Sequence, residues 1–143
     1  MKKILLLLMV MLLTNVSLVA FPQNKAGQYV RAALEATKNK NFSQAILLCD
    51  AAINLDNTYE TAYYHRGYNK LLLKDYAGAL VDFTVCLDLN SENLYAYLYR
   101  GLANQRMGNR WAATEDYNAA RKIDAMETLA FLTGNIFRSG IGK

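Results

Sequence analysis

The chain has 143 residues, enough for one domain or one short array. Charged residues make up 20% of it and hydrophobic ones 53%, which excludes an intrinsically disordered chain. The net charge is +4, or +2 without Lys2 and Lys3, and the other basic residues are dispersed, so the chain carries no electrostatic footprint for nucleic acid.

Residues 1–20 have the layout of a secretory signal peptide. Lys2 and Lys3 are followed by an unbroken apolar run from Ile4 to Leu13, then by Thr14, Asn15 and Ser17 ahead of Ala20. The run is too short for a bilayer core that needs about 20 apolar residues. Cleavage after Ala20 is the expectation, with an uncleaved N-terminal anchor as the rival. Either way the rest of the chain is expected outside the cytoplasm, periplasmic, secreted or held at the envelope. The one proline, Pro22, lies ahead of the remaining chain, so no residue beyond it lacks a backbone donor.

From Ala26 onward one pattern returns three times. Ala45, Ala79 and Ala113 mark a period of 34 residues held without insertion, the mark of a repeat array. The first unit, 26–59, is predicted as helices over Gly27–Lys38 and Phe42–Leu55. Asn39-Lys40-Asn41 forms its turn, because Asn suits both a left-handed residue and a helix cap. The second unit, 60–93, is predicted as Thr61–Leu73 and Tyr76–Leu89, with Asp75 as N-cap. The third, 94–127, is predicted as Leu94–Met107 and Arg110–Ile123 around Gly108-Asn109, with Asn90-Ser91-Glu92 supplying caps ahead of it. Gly67 with Ala79, and Gly101 with Ala113, are small residues that let paired helices approach closely. Tyr63, Phe83 and Tyr117 fill the space around those contacts.

Residues 128–138 restart the frame, with Phe131 where Tyr63 and Tyr97 stand, and are read as one capping helix. Leu129, Leu132, Ile136 and Phe137 make it more apolar than a plain cap, which leaves homodimerisation through this helix as the alternative. Cys49 and Cys86 fall on inward faces and are expected as buried thiols, not as a disulfide or a zinc site. His65 has no metal-ligand cluster around it.

The 34-residue period, the aromatic-x-x-Arg-Gly start and the Ala79-x-x-x-Phe83 and Ala113-x-x-x-Tyr117 halves resemble the tetratricopeptide repeat. Ala45-x-x-x-Cys49 matches less well, and the usual proline at the end of each repeat is replaced by Asn57, Ser91 and Ala125. The resemblance implies an all-α, right-handed superhelical array of helix–turn–helix repeats with a C-terminal capping helix. It departs from the family at Arg66 and Arg100, where leucine is common. Asp82 and Asp116 accompany these arginines, whereas the first repeat has Ala32 and Leu48. That co-occurrence predicts two pairs, Arg66–Asp82 and Arg100–Asp116, bridging the helices of a repeat.

In the family, ligands are usually peptides held on a concave face lined by first helices. The resemblance places Val30, Leu34, Thr61, Tyr64, Tyr68, Tyr95, Leu98, Tyr99 and Leu102 on that face, with Arg106 at its edge. Relatives that clamp a C-terminal carboxylate use Lys and Asn where this chain has Val30 and Leu34, so that clamp is not expected. No nucleophile–base motif or glycine-rich phosphate loop is present, and Asp50, Asp56 and Asp88 read as solvated carboxylates. The expectation is therefore an exported adaptor that binds a protein or peptide, with no enzymatic activity, metal or cofactor. The alternative is a self-assembling structural component of an envelope complex.

Overall fold

A computed structural model describes residues 24–139, with side chains as far as Gly134. Residues 1–20, read above as a signal peptide, and the side chains of Ile136 and Phe137 lie outside the described residues. The described chain is all-helical: α1 Lys25–Lys38, α2 Phe42–Leu55, α3 Glu60–Leu72, α4 Tyr76–Leu89, α5 Leu94–Arg106, α6 Arg110–Ile123 and α7 Ala125–Ser139. The pairs α1/α2, α3/α4 and α5/α6 stack in order, and the final helix follows them.

Local chemistry sets the ends. The side chains of Asn24, Asp75 and Asn93 accept from the backbone N–H groups of Gly27, Gly78 and Ala96, each at 2.9 Å. Asn93 thus does the capping expected of residues 90–92. Each of the three turns inside a pair closes in the same way. The N–H groups of Asn41, Asp75 and Asn109 reach back five residues to the carbonyls of Ala36, Lys70 and Asn104 at 2.8–2.9 Å. The residue before each is left-handed: Lys40 at φ 60°, Lys74 at 66° and Gly108 at 84°. In the first turn the left-handed residue is therefore Lys40 and not an asparagine, and Asn41 makes no side-chain cap bond.

The closest approach inside a pair falls at the expected glycines. A β-carbon on Gly67 would lie 3.1 Å from both Asp82 Cβ and Phe83 Cε1, and one on Gly101 would lie 2.6 Å from Tyr117 Cε1. Beneath Gly67 sits a core of Ala79, Phe83, Cys86, Leu87 and Ala96. Cys49 and Cys86 are both buried free thiols.

Arg66 grips Asp82 through Nε at 3.0 Å to Oδ2 and through Nη2 at 2.6 Å to Oδ1. Arg100 grips Asp116 at 3.0 and 2.7 Å from the same two donors. Each arginine also reaches the preceding pair: Arg66 Nη1 donates to Asp50 at 2.6 Å, and Arg100 Nη1 to Thr84 Oγ1 at 3.3 Å. Asp50 is thus an inter-repeat partner and not a merely solvated carboxylate. Tyr63 and Tyr97 carry the guanidinium groups over their rings at 5.4 and 5.6 Å.

The last helix breaks the frame. Asp124 Oδ1 accepts from the N–H groups of Met126 and Glu127 at 2.9 Å, so α7 starts at Ala125 and not at Thr128. A one-residue link replaces the four-residue links Asp56–Tyr59 and Asn90–Asn93. The helix is consequently turned. Phe131 does not take the place of Tyr63 and Tyr97, and instead meets the ring of Tyr99 edge-on at 5.3 Å. Gly134 stands one period beyond Arg100, so the arginine row ends there.

Three outcomes are expected from this geometry. Replacing Lys40 and Lys74 by Gly relieves the left-handed penalty and raises stability by roughly 1 kcal/mol for the pair, read from urea unfolding. Arg100→Leu leaves Asp116 buried with Asn104 at 3.1 Å and costs roughly 3 kcal/mol, the lower end for a buried pair because Arg100 is part-exposed. Arg66→Leu costs less, since Lys70 remains on Asp82 at 2.8 Å. Equal losses at the two sites would contradict the role given to Lys70.

Candidate binding groove

The odd-numbered helices share one face, and two open cavities lie along it. The N-terminal cavity, about 480 Å³, is walled by Asn24, Gly27, Gln28, Val30, Arg31 and Leu34 at the start of the array, and by Tyr59, Thr61 and His65 from the next pair. The C-terminal cavity, about 300 Å³, is walled by Tyr68, Leu71 and Leu72 of α3, Tyr99 and Leu102 of α5, and Ala130, Phe131 and Gly134 of α7. Helical spacing explains the set: residues three and four apart on each first helix share a face, and stacking the helices sets those faces side by side.

An aromatic row runs between the cavities. Tyr64 lies 6.2 Å from Phe83 and from Tyr99, and Tyr68 meets Tyr99 edge-on at 5.0 Å. Tyr99 stacks on Phe83 at 6.1 Å. These separations are those of attractive aromatic pairs, so the tyrosines bind neighbouring repeats together while leaving edges in the groove. Burial pushes the Tyr64 hydroxyl well above the ordinary tyrosine range, with Tyr99 and Tyr68 adding to the effect, so it stays protonated.

Of the residues placed on this face by sequence, Leu34, Thr61, Tyr68, Tyr99 and Leu102 line the cavities. Val30 does so too, but 97% of it is buried against Ala26, Ala52 and Ala62. Leu98 is wholly buried and offers no surface, because α5 turns that position inward. Tyr95 is exposed, donates to Glu127 at 3.0 Å and lies outside both cavities, and Arg106 is an exposed edge residue. Arg31, Tyr59, His65, Leu71, Leu72 and Phe131 line the cavities without having been read from sequence. Leu71 and Leu72 lie one turn beyond Tyr68 and were open to a longer reading of the same face. Phe131 was not, because its place depends on the link at Asp124.

No family model matches the chain. The human protein named tetratricopeptide repeat protein 6 is 35% identical over 101 residues, covering 69% of this chain. The chain spans only 18% of that relative's length. Among solved structures, the Arabidopsis OM64 TPR domain superposes with a TM-score of 0.73 at 22% identity, covering 80% of this chain and 96% of that one. The first TPR of Spaghetti (RPAP3), solved bound to the HSP90 peptide SRMEEVD, superposes with a TM-score of 0.70 at 20% identity, covering 77% and 92%.

The groove offers surface more than reactivity. Among the described residues, no group of three or more His, Cys, Asp or Glu is placed to hold a metal ion. Burial lowers the pKa of His65, against a smaller opposing pull from Glu60, so the imidazole is neutral at neutral pH. Burial also pushes both thiols up to about 12, with Glu60 adding to the effect on Cys86. The reactive form of cysteine is the thiolate, and a rise of that size leaves roughly a thousandth of the ordinary amount. Ellman's reagent at mildly alkaline pH should therefore leave both thiols untouched in the native chain and titrate both in guanidinium. A fast native reaction of either one would contradict their burial. The raised thiol pKa values also stabilise the fold below about pH 9, and that contribution is lost as pH climbs toward about 12.

Proposed function

The helical array of this chain belongs to the tetratricopeptide repeat family, and from that premise we propose that it is an exported adaptor that holds a segment of a partner protein in the tyrosine-lined groove. One observation carries this reading: two open cavities, one walled by Tyr, Leu and Phe side chains and the other by a mixed polar and apolar set that includes Tyr59 and Leu34, lie on the face shared by α1, α3, α5 and α7. Aromatic rings present large areas at small entropic cost, which is why they dominate binding surfaces. A domain of the same fold has been solved with a peptide bound, which supports a peptide as the class of ligand. Export rests on the composition of residues 1–20, and attachment to a membrane would follow only if that segment were retained. Among the described residues no helix is long and apolar enough to cross a membrane.

A second reading, self-assembly, draws on α7. Met126 and Leu129, three residues apart on one helical face, are 77% and 56% exposed. Light scattering of the purified chain decides it, because a monomer at micromolar concentration removes assembly as the main role.

A photo-crosslinking residue at Leu72, on the groove, and another at Trp111, on α6 and 78% exposed, test the adaptor reading in the native host. A discrete adduct at Leu72 that Tyr68→Ala weakens and Trp111 does not give is the expected result. Equal labelling at both sites would place the contact elsewhere. Fractionation of the host checks export, and recovery of the chain in the cytoplasm would refute it.

A further inference from the structure

The two cavities differ in chemistry. Among the described residues lining them, Arg31 in the N-terminal cavity is the one ionised side chain. No carboxylate is among those described lining residues. The acids nearest in sequence to the N-terminal cavity are engaged: Glu35 pairs with Lys38 at 2.7 Å, and Glu60 accepts from Asn93 Nδ2 and from Thr61 Oγ1. Arg31 is exposed and has no ion pair among the described residues. Across the cavity the neutral His65 ring offers one donor and one acceptor. Among the described residues the C-terminal cavity has no charged side chain. Its walls are leucine, alanine and aromatic rings, with tyrosine hydroxyls as the polar side-chain groups.

From this contrast we propose that the groove reads a peptide of fixed polarity, with an acidic side chain set against Arg31 and a bulky apolar side chain seated between Tyr68, Tyr99 and Phe131. The proposal rests on the groove being the binding face. A peptide laid in the opposite sense would bring its acid among Leu71, Leu72 and Leu102, where a carboxylate loses water and gains no cation. It would also bring its apolar side chain to a wet, cationic rim. The apolar anchor supplies most of the affinity, since buried aromatic contacts dominate interfaces. The acid mainly sets direction and register, because an exposed charge pair contributes a few-fold at most.

An array of end-blocked synthetic peptides tests this against the purified full-length chain. One position carries Glu, Gln or Lys, and another carries Phe, Leu or Ser, at a range of separations and in both orders. The expected pattern is strongest binding with Glu and Phe in one order only. Replacing Glu by Lys weakens it about tenfold, combining a lost attraction and a new repulsion. Arg31→Glu inverts the Glu-over-Lys preference and leaves the Phe-over-Ser preference intact. Tyr68→Ala does the reverse. If Arg31→Glu leaves the acid preference unchanged while peptides still bind, the assignment to Arg31 falls and the groove reading stands. Inversion by Arg106→Glu in place of Arg31→Glu would show the opposite polarity and overturn the proposal. If no peptide binds a chain that circular dichroism shows to be folded, both the proposal and the groove reading fall.

Discussion

Arg66 ties three helices at one point. Its guanidinium holds Asp82 across its own helix pair and Asp50 on the pair before, while its charge lies over the ring of Tyr63. Asp82 is wholly buried, and Arg66 and Lys70 both reach it. Burying a carboxylate without such partners costs more than packing alone returns. The glycine at position 67 is part of the same device. It lets α3 and α4 come close enough for the arginine to span them, with Asp82 Cβ and Phe83 Cε1 at 3.1 Å from where a β-carbon would stand. The close pairing and the stacking together set the first helices side by side, and the groove exists only as a result of that alignment.

Much of this was legible from spacing. The period of 34 residues, the glycine–alanine contacts and the two arginine–aspartate pairs follow from residue types that recur in phase. The second helix of each repeat begins and ends where the sequence placed it. Asp50 was misread because a carboxylate on an outer helical face looks the same in sequence whether it meets water or the arginine of the next repeat. Leu98 was misread because a first helix carries apolar residues toward both its partner helix and the groove, and the period alone does not separate the two. The final helix was misread because Phe131 falls in phase with Tyr63 and Tyr97. Phase says nothing of link length, and the single residue Asp124 rotates the helix out of the frame.

The aromatic row has two duties that pull against each other. Tyr64, Tyr68 and Tyr99 hold adjacent repeats together through ring contacts at 5.0–6.2 Å, and two of these rings, Tyr68 and Tyr99, also wall the C-terminal cavity. A rigid wall of this kind presents its edges to a ligand without reordering, which lowers the entropic cost of binding. The compensating constraint is that changes to the wall alter stability and binding together. Positions such as Leu72 and Arg31 touch the cavities from outside the row and are where recognition can vary while the scaffold stays the same.

The arginine row also grades the cooperativity of the array. The link from the first repeat to the second includes an ion pair, Arg66 to Asp50 at 2.6 Å. From the second to the third it weakens to Arg100 on a neutral hydroxyl at 3.3 Å. Beyond the third repeat Gly134 stands at the arginine position, and the described side-chain link is one exposed hydrogen bond, from Tyr95 to Glu127 at 3.0 Å. In a linear array, stability is a sum of unit terms and nearest-neighbour couplings, so unequal polar couplings make unequal seams. Opening accordingly starts at α7 and moves inward. The boundary it releases first is the one that walls the C-terminal cavity, so breathing of the array and access to its apolar end are the same motion.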